Sequence, residues 1–89
     1  MRRIYKYEVP SYGDVIQCHP IAHFLDCQIQ GQGAKQVVFW AVVEADEPKK
    51  NYQVTVAMTG SEYRKDFGMH IGTVQHSPGY VEHIFVREL

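Results

Sequence analysis

Val37-Val38-Phe39-Trp40-Ala41-Val42-Val43 is the most apolar run of the chain and holds its one tryptophan. Apolar side chains on both faces are what a central strand of a covered sheet requires, so a strand is expected over Gln36 to Glu44, with the rest of the molecule packed around it. Before it, Phe24 to Gln30 places Leu25, Cys27 and Ile29 on one face and Asp26, Gln28 and Gln30 on the other, the pattern of a half-solvated strand. Gly31-Gln32-Gly33 supplies a hairpin connection, so these two strands should pair as neighbours. After it, the polar stretch Asp46-Glu47-Pro48-Lys49-Lys50-Asn51 makes a turn. Tyr52, Val54, Val56 and Met58 then alternate with Gln53, Thr55, Ala57 and Thr59, giving a strand that ends at Gly60 and is expected as the second neighbour.

Farther out, Ile4 to Val9 alternates with a period of two and stops at Pro10, and Ser11-Tyr12-Gly13-Asp14 is a turn. Val15-Ile16-Gln17-Cys18 forms a short strand halted by Pro20, which lacks the donor that a central ladder needs. The alternation is lost from Ser61 to Gly68, which could form one helical turn or an ordered loop and is read as a loop. His70 to His76 and Tyr80 to Arg87 are two last strands joined by Ser77-Pro78-Gly79, whose Pro-Gly pair suits a type II turn. With no repeat and no helical period, the expected fold is mainly β: a small antiparallel sheet, meander in order, closing into a barrel or sandwich of about six to seven strands over a single domain, residues 1–89. In such a fold Phe39 and Trp40 should both be largely buried. If one stays exposed, its side is a binding surface or a subunit interface.

At 89 residues, a chain buries only about 60–65% of the surface that its unfolded form exposes. A large internal cavity is therefore not expected, and a ligand would sit in a groove, at a sheet edge or between subunits. Nine Lys and Arg against ten Asp and Glu give a formal charge of −1, which argues against non-specific binding to nucleic acid or to an anionic membrane. Lys6 and Glu8 interrupt the apolar segment that a signal peptide would need, and no stretch approaches a membrane span. Two cysteines, Cys18 and Cys27, make no disulfide framework, which points to a reducing cytoplasm.

Several local patterns together resemble a family of small proteins encoded by tailed bacteriophages and prophages, a domain of unknown function. They are Ile4-Tyr5-Lys6-Tyr7, Leu25-Asp26-Cys27-Gln28-Ile29-Gln30-Gly31, Phe39-Trp40-Ala41-Val42-Val43, Thr59-Gly60, Ile71-Gly72-Thr73-Val74-Gln75 and His83-Ile84-Phe85. The resemblance spans nearly the whole chain and implies a phage or prophage origin and a host-cytoplasmic setting. It implies no reaction and no site residues. Cys18-His19-Pro20-Ile21-Ala22-His23 departs from the family's pattern.

Cys18, His19, His23 and Cys27 are zinc-ligand types, but adjacent Cys18 and His19 would point to opposite sides of a strand, and Cys27 falls in an apolar register. No metal or cofactor is expected. Gln28 and Gln30 could recognise amides or nucleobase edges, although the wet face of a sheet accounts for them and for Gln75. The spacing of His70, His76 and His83 gives no reason for them to converge, and His83, in register with Val81 and Phe85, reads as hydrogen-bonded and partly buried. Tyr63 and Arg64, on a loop that also carries Glu62, Lys65 and Asp66, are the best candidates for contact with a partner, and Trp40 joins them if its face is open. Nothing in the spacing aligns a nucleophile, a base and an orienting group. The expected function is that of a non-enzymatic phage or prophage accessory protein that binds a host protein, in counter-defence or host takeover. The alternative is a homo-oligomer that sequesters a small molecule, such as a nucleotide, at a subunit interface.

Overall fold

A computed structural model describes residues 1–31, 35–77 and 79–89. Its strands are β1 (Arg2–Glu8), β2 (Asp14–Cys18), β3 (Ile21–Gln30), β4 (Gln36–Glu44), β5 (Lys50–Met58), β6 (Met69–His76) and β7 (Tyr80–Glu88), with a 3-10 turn at Lys65–Phe67. All pairings are antiparallel. They sort into two sheets, β1-β4-β3 and β2-β5-β7-β6.

The mainly β reading stands, as does the pairing of β3 with β4. The meander and the closed barrel do not, since among the described residues no ladder joins the two sheets. The expected second neighbour of β4 is also corrected: β1 takes that place, and β5 lies in the other sheet. The short polar link from Ala45 to Lys49 carries the chain across to that sheet, and the His19-Pro20 link between β2 and β3 carries it the other way. The hairpin expected at Gly31-Gln32-Gly33 and the type II turn at Pro78 lie outside the described residues.

Strand alternation gives each sheet an inner and an outer face. From β4, Val37, Phe39, Ala41 and Val43 turn inward; from the other sheet come Tyr52, Val54, Val74, Ile84 and Val86, and all belong to one buried cluster with Val9, Cys18 and Cys27. Phe39 is 0% exposed. Trp40 is only half-buried, because it lies on the outer face between Lys6 and Asp26 of the flanking strands. Its neighbour on that face, Val38, is buried at 2%. Lys6 Nζ on β1 donates to Gln30 Oε1 on β3 at 3.1 Å, so the lysine stem spans β4 and shields it while the charged head stays in water.

The edges β3 and β6 come together without hydrogen-bonding. A Cβ placed on Gly72 would lie 2.5 Å from Cys27 Cβ, so glycine is what permits this approach. Register breaks occur in both edges. Ala22 and Leu25 are the extra residues in β3 and Ile71 is the extra one in β6, whereas the other pairings run unbroken. The breaks correct the expected face of Leu25, which is exposed instead of sharing the inward register of Cys27 and Ile29.

Candidate functional site

The loop from Thr59 to Gly68 folds back over the outer face of the four-stranded sheet. Ser61 N–H donates to the Met58 carbonyl at 3.0 Å and Phe67 N–H to the Arg64 carbonyl at 3.1 Å, closing a turn at each end. Gly68, at φ 89°, then returns the chain to β6; a Cβ there would meet the Val86 carbonyl oxygen at 2.5 Å. The glycine is needed on both counts.

This path brings Tyr63 and Phe67 onto Phe85 of β7. Ring centroids lie 5.9 Å apart for Tyr63 and Phe67, 6.0 Å for Tyr63 and Phe85, and 5.3 Å for Phe67 and Phe85. The spacing falls in the range of favourable edge and tilted aromatic pairs. Tyr63 remains 63% exposed. Between loop and sheet lies a pocket of about 240 Å³, bordered by Ala57, Thr59, Tyr63, Phe67, His83 and Phe85. Small-molecule sites usually enclose about 300–1,000 Å³, so this pocket is on the scale of one inserted side chain.

Beside the aromatic group runs a chain of polar contacts across β6 and β7 to the end of β5. Thr59 Oγ1 lies 2.7 Å from His83 Nε2, His83 Nδ1 lies 3.1 Å from Thr73 Oγ1, and Thr73 Oγ1 lies 2.9 Å from His70 Nε2. A neutral imidazole has one donor and one acceptor nitrogen, and a hydroxyl can be both, so every contact is satisfied with all donors running in either direction. The face can therefore offer either a donor or an acceptor to whatever docks on it. His70 and His83 thus converge, with ring centroids 6.3 Å apart, which their spacing in the chain gave no reason to expect. His76 stays apart on the inner face, stacked on Tyr80 and bonded to Glu82 at 2.6 Å.

Thr59, His83 and Thr73 also stand in the order hydroxyl, imidazole, orienting group, an alignment not expected from their spacing in the chain. The orienting group is a neutral hydroxyl, which cannot offset a developing imidazolium as a carboxylate does.

The other expected site residues are dispersed. Arg64, also on the loop, is held loosely by Asp66 at 3.4 Å. Gln28, Gln30 and Trp40 share the outer face of the three-stranded sheet, on the opposite side of the molecule from Tyr63 and Arg64. There Gln28 Nε2 donates to Asp26 Oδ2 at 2.7 Å. Cys18 and Cys27 are buried, and burial pushes both thiols up to about 11. His19 Nδ1 meets the Glu47 carbonyl oxygen at 2.8 Å, away from the exposed His23. Among the described residues, no three side chains of metal-ligating type gather.

A family model matches residues 1–89 from end to end. The chain belongs to the family described as Domain of unknown function (DUF7352). No curated protein and no solved structure matches it. Among the described residues of this DUF7352 member, no helix is long and apolar enough to cross a membrane.

Proposed function

We propose that this DUF7352 member is a non-enzymatic binding protein, an accessory protein of a phage or prophage, that captures a host protein on the outer face of its four-stranded sheet in counter-defence or host takeover. The observation that carries the reading is Tyr63: an exposed aromatic ring already held in place by Phe67 and Phe85, at the rim of a pocket sized for one side chain. An anchor ordered before contact loses little conformational freedom on binding, and tyrosine and arginine are frequent anchors in interfaces. A partner would insert an apolar side chain beside Tyr63 and hydrogen-bond to Thr59, His70 or Thr73, with Arg64 at the rim. The test is affinity capture from a bacterial host lysate. Wild type should retain one specific protein, and Tyr63→Ala should lose at least ten-fold of that capture. Retention of the same protein, undiminished, by both Tyr63→Ala and Arg64→Ala would refute this.

The alternative, a homo-oligomer holding a nucleotide between subunits, draws support from the opposite face. There Ile4 is 64% exposed beside Val42, and Trp40 is half-open. Association through this face should shift the emission of Trp40 to shorter wavelength as protein concentration rises, and Ile4→Glu should suppress the shift. A monomer at every concentration, with no nucleotide co-purifying, rules it out.

A further inference from the structure

The ladders of this molecule are broken at only three places among the described residues, and all three border one cavity. Ala22 and Leu25 bulge from β3 and Ile71 bulges from β6. Each of them lines a cleft of about 520 Å³ walled by β3 of one sheet and by β5, β6 and β7 of the other. A bulge bends its strand and re-aims a side chain. Two edges that meet tightly at Cys27 and Gly72 thus carry, a few residues away, irregularities confined to the walls of one cleft. Its volume falls within the about 300–1,000 Å³ of small-molecule sites.

The lining states the ligand's chemistry. Phe24, Ile71, Val86 and the ring of Tyr52 make apolar walls, and Glu88 is the one carboxylate among the described lining residues, which include His23 and His70 but no lysine or arginine. The Ile21 amide donates to the Tyr52 hydroxyl at 2.9 Å, and that hydroxyl donates to Glu88 Oε1 at 3.4 Å. Tyr52 is therefore fully engaged, and burial raises its phenol above the ordinary value, so it stays a donor. Glu88 is less committed. Its ion pair with Lys50 is long, at 3.5 Å, with both side chains about half exposed, and a pair of that kind contributes little. A carboxylate can accept about four hydrogen bonds, which leaves capacity for a ligand.

We infer that this cleft is a binding site for a small amine with an apolar body, its ammonium on Glu88 and its body between the bulged segments of β3 and β6. The site shares only the rim residue His70 with the partner-binding face, and it stands whether or not that reading does.

The test uses three probes of similar shape, 2-phenylethylamine, 2-phenylethanol and 3-phenylpropanoate, with saturation-transfer NMR and titration on the full chain at pH 7.5. The amine should bind at least five-fold more tightly than the alcohol, and the carboxylate least of all. Glu88→Gln should abolish the difference between amine and alcohol. Ala22→Trp should remove binding of both by filling the cleft; because Ala22 is exposed at a bulge, the added bulk need not enter the core. Leu25→Trp provides the same blockade from a second position, should the first variant fail to fold. The inference is overturned if none of the probes binds at millimolar concentration, if the alcohol or the carboxylate binds as tightly as the amine, or if a folded blocking variant binds like wild type.

Discussion

Replacing the Tyr7 hydroxyl by hydrogen should stabilise the protein. Among the described residues, it is the buried side-chain polar atom left without a well-formed hydrogen bond, its contact with the His19 backbone falling short of one, and an unmet buried group costs about 1–3 kcal/mol. Tyr7→Phe keeps the ring against Phe39 and is expected to raise the denaturant midpoint, at the lower end of that range; a fall would mean that the hydroxyl is bonded after all, to the His19 backbone or to water. The cysteines give a second expectation at this scale. An exposed thiol titrates near 9.0, whereas burial raises Cys18 and Cys27 to about 11. Between these values the unfolded chain has released protons that the native state still holds, so stability falls as pH rises from 9 to 11. Tyr7 and Tyr52, also raised by burial, add to the same loss above pH 10. Denaturation midpoints measured from pH 8 to 11 should show this decline, and the part between pH 9 and 10 should flatten in a Cys18→Ala/Cys27→Ala variant. An unchanged slope would show that neither thiol titrates differently in the two states.

Each strand was legible in the sequence to within a few residues, because burial on one side writes a period of two into the chain. What the period cannot show is an inserted residue. His70 and Thr73 are three apart and would face opposite sides of a regular strand; the bulge at Ile71 shifts the phase and places both on the outer face with His83. The polar half of the candidate site was hidden for that reason, and Leu25 was misplaced by the same device in β3. Tyr63 was legible as an exposed aromatic on a loop, but not its aromatic neighbours, which come from a turn and a distant strand. Gly72 fixes the meeting of the two edges. Gly72→Ala forces a methyl against Cys27 and should cost about 1–3 kcal/mol, as overpacking does. Gly68→Ala meets the Val86 carbonyl oxygen and Arg87 Cβ, in a conformation that L residues rarely adopt. It should loosen the loop and lower partner capture as Tyr63→Ala does, by at least ten-fold. Thermal unfolding and the capture assay check the two predictions separately.

At the scale of the whole molecule, alternation says which side chains point inward but not which of two layers a strand joins, so the crossing of β5 to the other sheet was not readable. The two layers hold a single core: Cys18 enters it from β2 and Cys27 from β3, in different sheets. If the layers open only together, iodoacetamide should modify both thiols at one rate, and that rate should follow global unfolding. Two distinct rates would mean that one sheet opens alone. The position of β7 adds a constraint in time. Tyr80–Glu88 lies between β5 and β6, yet it follows both along the chain. β5 and β6 therefore emerge from a ribosome before the strand that joins them does. Until Glu88 has left the exit tunnel the four-stranded sheet has no middle, and the nascent chain must wait with Val54, Val56 and Val74 uncovered, a natural substrate for chaperones that hold apolar strands apart.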